Sequence, residues 1–221
     1  MLFDVNLESY HGEVTTVVGP NGSGKTTLLN SIFGFADIFS GSITFDKMQL
    51  NGMPPHETSK LGISYLPQMN NIFPDLSVKE NLRLAGYLLD PMELNDTMDE
   101  VISLFPVIEP FMNRRAGTLS GGERQMLAIA MTLMRKPKLI LLDEPLSGLA
   151  PLVCQKIADK ILDLRDKLGI SVMLVEQNAK RALEIGDKVH LMVSGKITFS
   201  GKTGELIKRT DLTELYLGLK N

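Results

Sequence analysis

Val14-Thr15-Thr16-Val17-Val18-Gly19-Pro20-Asn21-Gly22-Ser23-Gly24-Lys25-Thr26 decides the fold. Its first five residues are all β-branched, which suits a strand buried on both faces. The next eight fit G-x-x-x-x-G-K-[ST], and residues 25–33 read as a helix. A strand that turns through glycines into a helix is the local geometry of a phosphate-binding loop. The glycines let the backbone wrap an anion with successive N–H groups pointing inward. The positive end of the helix aims at the same anion. Lys25 offers a charge to β- and γ-phosphates, and the Thr26 hydroxyl is placed to ligate Mg²⁺. The competing reading is a plain glycine-rich turn. The pattern arises by chance in about one chain in a hundred at average residue usage, and its seat between strand and helix argues against chance.

Outward from this stretch, the chain alternates strand and helix. Residues 2–7 place Leu2, Phe3, Val5 and Leu7 against Asp4 and Asn6, a strand period. His11-Gly12 reads as a turn. Residues 43–45 and 63–66 read as short strands, separated by turn chemistry at Asn51-Gly52 and Pro54-Pro55. Residues 70–136 change character and read as helical. Ser77-Val78-Lys79-Glu80 is a capping box, and Ser120-Gly121-Gly122-Glu123 has the same spacing. Beyond them, residues 139–142 and 170–175 are strands and 179–185 a helix. Residues 151–168 form an amphipathic helix with Val153, Ile157, Ile161, Leu164 and Leu168 on one face, stopped by Gly169. Residues 189–193 and 197–200 form a hairpin around Ser194-Gly195. This order implies an α/β fold with a mostly parallel sheet covered on both faces. Ligands in such sheets bind beyond the carboxyl ends of the strands.

Two further motifs carry chemistry. Leu139-Ile140-Leu141-Leu142-Asp143-Glu144 is an apolar strand that delivers two acids to that edge. Asp143 is placed to hold Mg²⁺ through water, and Glu144 to accept a proton from an attacking water; alone, the pair would read as an acidic turn. Leu119-Ser120-Gly121-Gly122-Glu123 caps a helix, yet capping does not need two consecutive glycines. They point to close approach of a second phosphate.

Composition bounds the rest. The 221 residues are 43% hydrophobic and 22% charged, ordinary for a globular chain with its own core. Cys154 is the only cysteine and reads as a small buried hydrophobe, with an internal disulfide excluded. The three histidines stand at no metal spacing, so no structural zinc is expected. A net charge of −3 argues against a general nucleic-acid binder. No apolar run approaches the ~18 residues of a membrane span, and no leader peptide is expected.

The phosphate loop, LSGGE and the strand ending Asp143-Glu144, in this order and spacing, resemble the ATP-binding subunit of an ABC transporter. The resemblance covers residues 2–219 and implies a RecA-like P-loop NTPase core over 1–69 and 137–221. That core would hold the mostly parallel sheet and antiparallel N-terminal strands, with an inserted helical subdomain over 70–136. It further implies ATP and Mg²⁺, bound by Gly19, Pro20, Asn21, Gly22, Ser23, Gly24, Lys25, Thr26 and Thr27. Gln68, after the strand 63–66, matches the family's glutamine loop and would join Thr26 and Asp143 at the metal. Two such subunits would pair head to tail, so that Ser120, Gly121 and Gly122 reach the ATP of the second chain. Two integral-membrane permease subunits and, indirectly, a solute-binding protein would complete the assembly at the cytoplasmic face of the membrane.

The chain departs from the common family pattern at two positions. Gln177 stands where a γ-phosphate-sensing histidine is usual, and Ala150 where an aspartate is usual. With residues 115–118 and 125–129 and Tyr216-Leu217-Gly218, these resemble importers of branched-chain amino acids and related polar solutes. Lys25, Gln68, Glu144 and Gln177 are the candidate catalytic residues. A motor for urea or short amides, an ABC-type ATPase outside transport (DNA repair, translation, iron–sulfur assembly), and a generic P-loop kinase or GTPase are the alternatives. Family members also carry an earlier strand whose terminal aromatic stacks on adenine. Tyr10 is a poor substitute, since the strand 14–18 separates it from the loop by about 17 Å. The resemblance therefore carries the expectation that this adenine platform is missing.

Overall fold

The computed structural model describes residues 1–69 and 71–207. β1 (Val14–Val18) is buried at every residue. It lies between β6 (Ser171–Glu176) and β7 (Lys188–Val193), parallel to both. With β4 (Ile63–Leu66), β5 (Leu139–Asp143) and β8 (Lys196–Lys202) it forms a sheet in the order β4-β5-β6-β1-β7-β8. All pairings are parallel except β7–β8. That hairpin turns at Ser194 and Gly195, with φ of 49° and 79°. Two successive positive φ values match the strand twist.

Side chains alternate along the central strands, as a period of two requires. Ile140, Leu142, Val172 and Leu174 join one apolar cluster with α5 (Gly121–Leu133) and α6 (Pro151–Leu168). Leu139, Leu141, Met173 and Val175 join the other with Leu28, Leu29 and Ile32 of α1 (Lys25–Phe33). The first cluster continues into α3 (Val78–Ala85) and α4 (Pro91–Leu104) through Val78, Leu82, Met98 and Val101. Helix α5 is thus a common wall of the sheet and the helical segment. Ser77 and Ser120 both close reciprocal capping boxes, and α6 stops at Gly169, whose φ is 65°.

Residues 2–7 do not form the expected strand. Leu2, Val5 and Leu7 pack against the second cluster, but the backbone finds no ladder, with one bond from Phe3 N–H to Gly195 O at 2.9 Å. Periodicity reports which side chains are covered and says nothing about a partner strand. The antiparallel strands of the N-terminal half are instead a hairpin, β2 (Thr44–Phe45) and β3 (Met48–Gln49). Its turn residues Asp46 and Lys47 have φ of 46° and 68°. Pro54-Pro55 opens α2 (Pro55–Lys60) rather than a turn, since proline is tolerated in a first helical turn. Leu168 is 46% exposed and leaves the buried face of α6. The described residues close with α7 (Ala179–Ile185) before β7 and α8 (Thr203–Ile207) after β8. Tyr216-Leu217-Gly218 lies outside the described residues, as does Asn70.

Candidate functional site: a phosphate cleft at the carboxyl ends of the strands

Because β4, β5, β6 and β1 are parallel, the segments that leave their carboxyl ends all emerge at one edge. β1 delivers the glycine-rich loop, β4 Gln68, β5 Asp143 and Glu144, and β6 Gln177. Between them lies a cleft of about 480 Å³ lined by Asn21, Gly22, Gly24, Lys25, Thr26, Thr27, Gln68, Glu144, Ser147, Gln177 and Met1.

The loop geometry explains two of its glycines. Gly24, at the N-cap of α1, has φ 106°, which side-chain-bearing residues rarely adopt. A Cβ on Gly19 would sit 2.1 Å from Met192 O, so the loop could not close on β7. No side chain caps α1. Its first N–H groups therefore have no side-chain acceptor, which suits an anion.

Lys25 is only 4% exposed. Its ammonium donates to Gly19 O at 2.9 Å and Pro20 O at 3.1 Å, and lies 3.3 Å from Glu144 Oε1. The Gln68 amide donates to Glu144 Oε2 at 3.0 Å. Thr26 Oγ1 donates to Asp143 Oδ1 at 3.1 Å, and the Tyr65 hydroxyl to Asp143 Oδ2 at 3.4 Å. Burial holds the Asp143 carboxyl above the usual carboxylate range, against the Thr26 hydrogen bond, which lowers it. Burial, with the Asp143 charge, raises the Tyr65 phenol. Glu144 has φ 47°, and its N–H donates to Val175 O at 3.0 Å. The strand β5 thus ends in a forced turn that aims the second acid at Lys25.

The structure brings Lys25, Thr26, Thr27, Gln68, Glu144 and Gln177 to this one cleft, with Asp143 held on Thr26. It does not bring Ser120, Gly121 and Gly122 there. These begin α5, with Ser120 and Gly121 exposed. Gly122 has a reason within the chain that its sequence did not disclose, because a Cβ there would lie 2.6 Å from Val153 Cγ1 of α6. Tyr10 is absent from the cleft lining, and its ring lies under Lys188 Nζ at 4.9 Å.

Three residues of this region carry no motif. Tyr65 gave no signal, being an ordinary strand residue. Ser147 lines the cleft from the loop after the acid pair. Glu176 is 2% exposed at the end of β6. Its signal was legible: an acid closing a strand whose four preceding residues are apolar, as Asp143 closes β5.

A mostly parallel sheet with a glycine loop leading into an uncapped helix, a buried lysine and an acid pair at one edge defines a P-loop nucleoside triphosphatase. The ABC transporter family model matches residues 2–147. The chain is 48% identical to the probable branched-chain amino acid transport ATP-binding protein LivF of Archaeoglobus fulgidus, over 99% of this chain and 93% of that protein. It is 41% identical to the high-affinity branched-chain amino acid transport ATP-binding protein BraG of Pseudomonas aeruginosa, over 98% and 93%. Among solved structures, the ADP conformation of MJ1267, an ATP-binding cassette of an ABC transporter, superposes with a TM-score of 0.87. It is 28% identical and covers 98% of this chain and 92% of that one. The chain belongs to the ABC transporter family and is an ATP-binding subunit with ATPase activity. No helix among the described residues is long and apolar enough to cross a membrane.

Proposed function

We propose that this subunit drives an importer of branched-chain amino acids by binding and hydrolysing ATP. The observation that carries the hydrolytic reading is Glu144, held between Lys25 and Gln68 at the mouth of the phosphate loop. Incoming phosphates compete for Lys25, which lies beside the loop carbonyls and Glu144. Once Lys25 turns to the phosphates, the Glu144 carboxylate is released to accept a proton from the attacking water. Gln177 donates its amide to a γ-phosphate oxygen and orients that water, and it does not titrate near neutrality.

The Thr26 hydroxyl, the Asp143 carboxylate and the Gln68 amide oxygen form an all-oxygen donor set, which fits Mg²⁺. The ion would neutralise charge on the β- and γ-phosphates. The ATP site would then be completed by Ser120, Gly121 and Gly122 of a second ATP-binding subunit, a copy of this chain or a relative. ATP favours only the closed state of the pair, so binding is the switch. The segment 70–136 would carry the motion to two integral-membrane permease subunits at the cytoplasmic face, fed by a solute-binding protein.

Support for the solute comes from the LivF and BraG relatives, which are branched-chain amino acid transport ATP-binding proteins, and from Gln177 and Ala150 in the subgroup pattern. Urea and short amides are the second reading, favoured by the same residues. The test is uptake into vesicles holding the subunit with its membrane partners. ATP-dependent entry of leucine, isoleucine and valine supports the proposal. Urea entry without them, outward transport, or ATPase activity indifferent to the partners contradicts it.

A further inference from the structure

The turn that carries Glu144 is tied down by side chains from three other elements, β6, α6 and α7. Glu144 stands at φ 47°, a conformation that a residue with a side chain holds only when its surroundings impose it. Its own N–H is bound to Val175 O, and Ser147 N–H donates to Glu144 O at 3.1 Å. Pro145 has no N–H to give. That leaves Leu146, 1% exposed, whose backbone no water reaches. Its N–H donates to Glu176 Oε1 at 3.0 Å. Its carbonyl accepts from Arg181 Nη1 at 3.2 Å, with Cys154 Sγ at 3.4 Å.

We propose that Glu176 and Arg181 are positioning residues that clamp the Leu146 peptide and so lock the turn bearing the base to the strand end bearing Gln177. Glu176 precedes Gln177 in the chain, and Arg181 lies on α7, which comes after it. Any shift of Gln177 on meeting a γ-phosphate is passed through the Glu176 carboxyl to a peptide two residues beyond Glu144. A buried acid is a costly way to satisfy backbone N–H groups. Burial raises its carboxyl to about 7, and Glu144 adds to the rise, while the Leu146 N–H and Arg181 oppose it. The cost makes sense where a rigid acceptor at one point is what the turn needs.

The inference rests on Glu144 being the base, and the experiment separates the two. Single-turnover hydrolysis and ATP affinity are measured on the full chain for Glu176→Met, Glu176→Gln and Arg181→Met, each alone and with Glu144→Gln. Misplacing a catalytic group by about 1 Å costs up to ~10²-fold. Glu176→Met is therefore expected to slow hydrolysis ~10- to ~10²-fold with ATP affinity within about twofold. Glu176→Gln keeps an acceptor oxygen and is expected to recover the rate to within about threefold. With Glu144→Gln already present, Glu176→Met should cost nothing more, because residues acting through one another are not additive. Should Glu176→Met fail to fold, Arg181→Met reads the other half of the clamp. Wild-type rates for both clamp variants, equal loss of ATP binding and hydrolysis, or losses that multiply with Glu144→Gln would overturn the clamp. A normal rate for Glu144→Gln alone would instead overturn the base.

Discussion

Helices α1 and α5 both have glycine at their starts, Gly24 as the N-cap of α1 and Gly121 and Gly122 as the first residues of α5, and their beginnings are built in opposite ways. The first turn of α1 has no side-chain cap, opens into a cleft and faces polar groups delivered by β4, β5 and β6. The first turn of α5 is closed on itself, with Glu123 N–H on Ser120 Oγ at 3.3 Å and Ser120 N–H on Glu123 Oε2 at 2.7 Å. An uncapped helix start offers its N–H groups to a ligand; a capped one offers only what the cap has to spare. In these bonds the Ser120 hydroxyl accepts, so its own proton is left to donate. One helix start is open to a phosphate, and under the proposed function the other would finish such a seat on a second subunit.

The sharpest way to break this contrast is Ser120→Asp. Aspartate caps as well as serine, so the melting temperature should hold. Its charge would meet the γ-phosphate of the second chain, and like charges brought together cost several kcal/mol, so ATP-dependent association should weaken by about 10³-fold. Unchanged association, followed by light scattering, would return Ser120 to a purely local role.

The next effect concerns stability at the α1 end. The Glu176 carboxyl is raised by burial to about 7 from 4.5. The folded chain therefore keeps a proton that the unfolded chain loses, and stability falls as pH rises from about 4.5 to about 7. The span corresponds to about 3 kcal/mol. His190, lowered by burial to about 4 from 6.5, acts with the opposite sign, its contribution being lost as pH falls through that window. The stability difference between wild type and Glu176→Gln cancels the histidine. Followed by urea unfolding, it should move by about 3 kcal/mol in favour of the variant between pH 4 and pH 8. A difference flat with pH would show that Glu176 titrates normally.

The smallest effect is at the sensor. Gln177→His should hold activity within a few-fold while adding a pH dependence near 6.5. Loss of hydrolysis at every pH would mean that the cleft needs the amide itself.

These contrasts also show what the sequence could disclose. β1, the loop and α1 were legible residue by residue, because β-branched burial, glycine spacing and helix onset all agree there. The acid pair was legible only beside the phosphate loop, because alone a strand ending in two charges reads as an acidic turn. The hairpin at 44–49 was not, since Asp46-Lys47 lacks the glycine that usually marks such a turn. Residues 2–7 misled because an alternating pattern is satisfied by packing alone. Gly122 was read for a ligand only, and its contact with Val153 depends on how α6 lies on α5, which no local pattern encodes. The partners of Glu176 are equally nonlocal, since Leu146 is thirty residues away in sequence.

The most direct test of Glu144 as the base is the hydrolysis rate of Glu144→Gln beside its affinity for ATP. Loss of the base should lower turnover by ~10²–10⁴ while ATP still binds. A Glu144→Gln protein that binds ATP and turns it over at the normal rate would contradict that role, and with it the mechanism built on the cleft.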